Sequence, residues 1–174
     1  MALFLKDDMM STVVTLRPAR VEDAGEIAEL VAEAYTPYIA RIGRKPAPML
    51  DDYAQVIRDD DVFVAMQARS IAGVLVVRRE KGDLLLVNVA VRLACKGRGI
   101  GRHMLDFAEA HARAAGCAAI RLYTHERMTE NIEIYQRLGY RETHRAEVDG
   151  FSRVFMCKPL AMSARRPADP GCDS

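Results

Sequence analysis

Three glycines at alternate positions, Gly97, Gly99 and Gly101, interleave with Lys96, Arg98, Ile100 and Arg102, shortly after the apolar stretch Val89-Ala90-Val91. Glycine leaves the neighbouring backbone N–H groups uncovered. The pattern from Ile100 onward reads as a helix, whose first amides have no internal acceptor and whose dipole is positive at that end. Such amides, with three cations close by, form an anion site best suited to phosphate or pyrophosphate. The plainer alternative is a tight turn with solvated basic side chains. The common nucleotide signatures do not fit. GxxxxGK[ST] is absent, and GxGxxG begun at Gly97 puts its third glycine on Arg102.

A second group of polar residues follows. Asn131 and Tyr135 lie at i and i+4, hence on one face of a short helix. Core packing beside Leu138 is the alternative for Tyr135, and helix capping the alternative for Asn131. Asn88 interrupts the apolar run 84–91, where an amide orients a water or a ligand, or makes a structural hydrogen bond. His125 and Glu126 end a later strand and are the nearest titratable candidates for a base. Cys95, Cys117, Cys157 and Cys172 form no CxxC or Cys/His pattern, so no metal is expected. Nothing beside Cys95 supplies an activating histidine, which argues against a covalent intermediate.

These residues need elements to position them. The 174-residue length predicts one domain, spanning 11–160, between a leader at 1–10 and a disordered tail at 161–174. Half the chain is apolar and the net charge is +1, which excludes a wholly disordered chain and a dedicated nucleic-acid binder. The apolar run at the start is too short for a membrane span or signal core, so a reduced, cytoplasmic setting is the default. Strands are expected at 12–17, 61–68, 71–79, 84–91, 117–124, 140–148 and 151–158, and helices from Ile27, Leu50, Ile100 and 130–138. Pro37 is expected to bend or stop the first helix. The run 84–91 reads as a central strand covered on both faces. The order β-α-α-β-β-β-α-β-α-β-β implies an α+β fold: a mixed, mostly antiparallel central sheet flanked by helices, with one parallel crossover. The final hairpin offers an edge strand for a homodimer.

KGRGIGRHML after LLVNVAV resembles the acyl-CoA pyrophosphate loop of the GNAT superfamily of N-acetyltransferases, with Lys96 where Gln or Arg is usual and Leu93 where proline is common. HERMTENIEIYQRLGYRE (125–142) is similar to the family's later Asn-x-x-x-Tyr-x-x-x-Gly-Phe/Tyr segment. The resemblance implies the GNAT fold and direct transfer of acetyl from acetyl-CoA to a primary amine on a small molecule. It implies cofactor contacts along Val89, Ala90, Val91, Lys96, Gly97, Arg98, Gly99, Ile100, Gly101 and Arg102, with Asn131 near the pantetheine arm. Tyr135 falls on the family's general acid, and Asn88 on a strand position where some relatives carry an acid. The first two helices and last hairpin would shape the acceptor site. There Tyr35, Tyr38 and Asp52, with Arg41, Arg44 and His125, offer an aromatic, mixed-charge pocket, with Arg145 and Asp149 at its rim. The alternative functions are a non-catalytic acyl-CoA-binding regulatory module of the same fold and a nucleotide-phosphate binder unrelated to CoA.

Overall fold

Alternating and continuous apolar runs give this chain seven strands, and they join in one sheet of order β1-β2-β3-β4-β5-β7-β6. The computed structural model describes residues 13–161. The expected leader, and all of the expected tail beyond Ala161, lie outside the described residues. The strands are β1 (Val14–Pro18), β2 (Asp61–Gln67), β3 (Ser70–Glu80), β4 (Asp83–Val91), β5 (Ala119–His125), β6 (Arg141–Val148) and β7 (Phe151–Pro159). The main helices are α1 (Ala24–Ile42), α2 (Tyr53–Asp59), α3 (Ile100–Ala114) and α4 (Thr129–Arg137). All neighbouring strands pair antiparallel except β4 and β5, which are parallel across the α3 crossover.

The helices cover both faces of the sheet. Ile27, Leu30, Val31 and Ala34 of α1 and Tyr53 of α2 pack on one face. Ile100, Met104, Leu105, Ala108 and Ala112 of α3 pack on the other, joined by Ile132 of α4. Gly73 lets α3 come this close, since a Cβ there would meet Met104 Cε at 2.8 Å and the Ala90 carbonyl at 3.1 Å. Among the described residues, no helix is long and apolar enough to cross a membrane.

Two expectations need correction. The strand buried on both faces is β3, whose Ile71, Val74 and Val76 face α1 while Ala72, Leu75 and Val77 face α3. In β4 only alternate residues are buried: Leu84, Leu86, Asn88 and Ala90. Its other residues are partly exposed, and of these Val87, Val89 and Val91 border open cavities. Nor does Pro37 stop α1, which continues to Ile42. The Thr36 hydroxyl donates to the Ala32 carbonyl, the Gly43 amide caps onto the Ile39 carbonyl, and the Arg127 guanidinium donates to the Arg41 carbonyl from outside the helix. These bonds hold the turns around the proline.

The decisive irregularity is in β4. Its register with β3 shifts so that Asn88 pairs with Val76 but Leu86 with Val77, which leaves Val87 unpaired as a bulge. The bulge resets the alternation. Leu84 and Leu86 point to the α3 side, whereas Asn88 and Ala90 point to the α1 side with Val89 and Val91 turned to α3. Pairing with β5 also ends here: it covers Leu84–Leu86 and stops. Beyond that point β5 stays with β7 and β4 stays with β3, so the two parallel strands part.

Candidate active site

Two cavities meet where β4 and β5 part. The larger, about 690 Å³, runs from the glycine turn past Val89, Ala90 and Val91 to α4. The smaller, about 80 Å³, lies among α1, the connection after it, β4, β5 and β7. Tyr35, Val89, Asn131 and Tyr135 line both.

The larger cavity has an anion-binding end. Gly97 and Gly99 adopt φ values of 75° and 80°, conformations that side chains rarely take. Space beside both glycines is open, with no atom within 4 Å of where a Cβ would stand. The turn is therefore not plugged by side chains. The first bond within α3 runs from the His103 amide to the Gly99 carbonyl, so the amides of Ile100, Gly101 and Arg102 have no partner within the helix. Lys96, Gly97, Gly99, Ile100, Gly101 and Arg102 line the cavity, whereas Arg98 does not. Arg102 is partly engaged, donating to Asp106 at 2.9 Å. Arg137 joins them from α4, a cation that sequence reasoning missed because nothing in local spacing ties it to the glycine turn.

The opposite wall carries the phenols. The Tyr135 ring stands edge-on to Tyr140 with centroids 5.7 Å apart, yet the residue also borders both cavities. The two alternatives for Tyr135 are thus compatible. Burial pushes its phenol up to about 12, so the group holds its proton at neutral pH. The Asn131 side chain does not cap α4. Its amide reaches the Met128 sulfur at 3.7 Å, and the residue borders both cavities.

Asn88 is buried and anchors a directional chain of hydrogen bonds. The Tyr53 hydroxyl donates to the Pro48 carbonyl at 2.9 Å, a group that only accepts. Tyr53 must therefore accept from Asn88 Nδ2, at 3.0 Å. That turns Asn88 Oδ1 toward Tyr35, whose hydroxyl donates to it at 2.8 Å. Both phenols are pushed up by burial, Tyr35 most strongly. The Tyr35 oxygen keeps a free acceptor position beside the junction of the two cavities.

The other acceptor-site candidates are scattered. Tyr38 borders only the larger cavity, where its ring approaches that of Tyr35 at 6.2 Å. Arg41 is bound to Glu130 through contacts of 2.7 and 2.9 Å, tying the end of α1 to the start of α4. Arg44 stacks on Phe151 at 3.9 Å, which ties the loop after α1 to the last hairpin. Asp52 borders neither cavity and caps α2, accepting from the amides of Ala54 and Gln55. His125 borders the smaller cavity. Its Nδ1 accepts the Arg127 amide at 3.1 Å, so the neutral ring carries its proton on Nε2. Burial lowers its pKa. Arg145 pairs with Glu142, and Asp149 is 81% exposed. Thr124 and Arg153 of the smaller cavity were missed by sequence reasoning. Their placement depends on how β5 and β7 pair.

Comparison with known proteins fits this geometry. Residues 58–142 match the family model described as an acetyltransferase (GNAT) domain, a stretch running from the end of α2 through α4. A PaiA N-acetyltransferase from Thermoplasma acidophilum, solved in complex with coenzyme A, superposes with a TM-score of 0.73 at 18% identity, covering 84% of this chain and 99% of that one. The ribosomal-protein-S18-alanine N-acetyltransferase from Escherichia coli gives a TM-score of 0.71 at 18% identity, covering 87% and 96%. A nourseothricin acetyltransferase gives 0.66 at 20% identity, covering 85% and 99%. No curated protein sequence matches the chain. The fold is the GNAT fold, and residues 58–142 are similar to the acetyltransferase (GNAT) domain family.

Proposed function

We propose that this protein transfers the acetyl group of acetyl-CoA directly to a primary amine of a small molecule. The observation that carries the proposal is the parting of β4 from β5 beside a glycine turn whose amides are free. The free amides of the α3 entry suit a pyrophosphate, with Lys96, Arg102 and Arg137 supplying positive charge. The unpaired edge of β4 from Val87 onward suits an amide-bearing arm laid alongside it as an extra strand. A backbone amide at this edge is also in a position to stabilise a carbonyl oxygen as it gains charge.

Tyr135 borders both cavities and keeps its proton, which suits protonation of the departing thiolate. The Tyr35–Asn88–Tyr53 chain fixes an acceptor oxygen that suits an amine N–H. Asn88 takes no proton, Glu126 borders neither cavity, and the His125 Nδ1 lone pair is engaged, so the amine loses its own proton to water before attack.

Calorimetry with acetyl-CoA, NAD and ATP, followed by a thiol-release assay over an amine panel, tests the proposal. The expected result is binding of acetyl-CoA alone and amine-dependent release of CoA. Tight acetyl-CoA binding with no release for any amine would instead define a non-catalytic acyl-CoA-binding module.

A further inference from the structure

We infer that the accepted amine carries a carboxylate, and that Arg153 is the residue that receives it. The inference rests on the acetyl-transfer reading above and names the substrate class of the same site.

The smaller cavity contains no aspartate or glutamate in its lining. Asp52, the acid of the α1–α2 region that would suit a cationic substrate, is spent on capping α2. Glu130 borders the larger cavity only, and both its oxygens are held by Arg41. A polyamine or other multiply cationic acceptor therefore finds no counter-charge in this pocket.

The pocket's fixed charge is positive. Arg153 lines it with a side chain only 14% exposed. Its guanidinium lies 4.3 Å over the Tyr123 ring, which fixes the plane of the group. It makes no hydrogen bond among the described residues. The nearest acid, Asp149, is 3.8 Å away and largely in water. The guanidinium is paired only with this exposed acid, and its remaining N–H groups are open to the cavity. A carboxylate entering the pocket would meet it in the two-pronged geometry that arginine favours. His125 pairs with Arg153 across β5 and β7, lines the same cavity and carries its neutral proton on Nε2, so it offers a second donor.

The test compares matched acceptors. With the wild-type protein and acetyl-CoA, phenylalanine is set against phenylalaninamide, β-alanine against ethylamine, and spermidine is run alongside. We expect kcat/KM for at least one acid to exceed that of its carboxylate-free partner, and that of spermidine, by about 10-fold or more. Arg153→Gln should reduce that preference to within about 3-fold, through KM for the acid, with KM for acetyl-CoA unchanged. Arg153→Lys should retain part of the preference, since it keeps the charge and loses the fork. As a readout free of turnover, the N-acetylated acid should bind the wild-type protein–CoA complex in calorimetry and bind the Arg153→Gln complex at least about 10-fold more weakly. A wild-type protein that acetylates amides or spermidine as well as the acids overturns the inference and leaves the transferase reading standing. So does an Arg153→Gln protein that keeps the preference. A protein that acetylates no amine overturns both.

Discussion

At the residue scale the site rests on phenols and one amide. Tyr135→Phe should lower kcat by about 100-fold while KM for acetyl-CoA stays within about 3-fold, because a proton donated to the leaving group is needed only in the transition state. Steady-state kinetics in both substrates check this, and an unchanged kcat removes Tyr135 from the chemistry. Asn88→Ala should cost about 1–3 kcal/mol in urea denaturation, since the buried Tyr35 hydroxyl loses its acceptor and Tyr53 loses its donor. Tyr135 and Asn131 were legible through the resemblance of residues 125–142 to the family's later segment, and Asn88 because it interrupts the apolar run 84–91. Asp52 was harder to read. Its place just before a helical run marks a cap as well as it marks a ligand, and the structure uses it as the cap. Arg153 gives no local signal at all. It lies in a short hairpin strand, and only the cross-strand pairing with β5 brings it over Tyr123 and into the cavity.

At the scale of elements, the glycine turn and the bulge of β4 do the positioning. Gly99→Val should raise the Kd for acetyl-CoA by about 10-fold, because a β-branched residue at φ 80° costs roughly 1–2 kcal/mol and the turn must reorient its amides. The open space beside Gly99 means that the fold itself should survive, which circular dichroism checks alongside calorimetry. The strand and helix order was legible from apolar periodicity, and so was the parallel crossover through α3. The bulge at Val87 was not. A run such as LLLVNVAV keeps its apolar character whichever face each residue takes, so its composition hides the point where the alternation resets. The passage of α1 through Pro37 was hidden for a related reason. Proline removes one bond within the helix, but the bonds that hold the following turns come from Arg127 and from the Gly43 cap.

Across the whole molecule, the two helical layers meet the sheet where it opens, and this makes the site sensitive to acid. The His125 imidazole has a pKa lowered by burial below its ordinary value near 6.5. The folded chain therefore binds this proton less readily than the unfolded chain. Its contribution to stability is complete above pH 6.5 and is lost as pH falls through the lowered value. Thermal unfolding between pH 7.5 and 5 should show a smaller loss of Tm in His125→Gln than in the wild type, and an equal loss would refute the assignment. Tyr35, Val89, Asn131 and Tyr135 serve as a common partition between two chambers. Under the proposed direct transfer, acetyl-CoA in the larger chamber and the amine in the smaller one would be bound at once, with neither leaving before the other arrives. Double-reciprocal plots should converge to a point instead of running parallel, and free CoA should compete with the acyl donor but not with the amine.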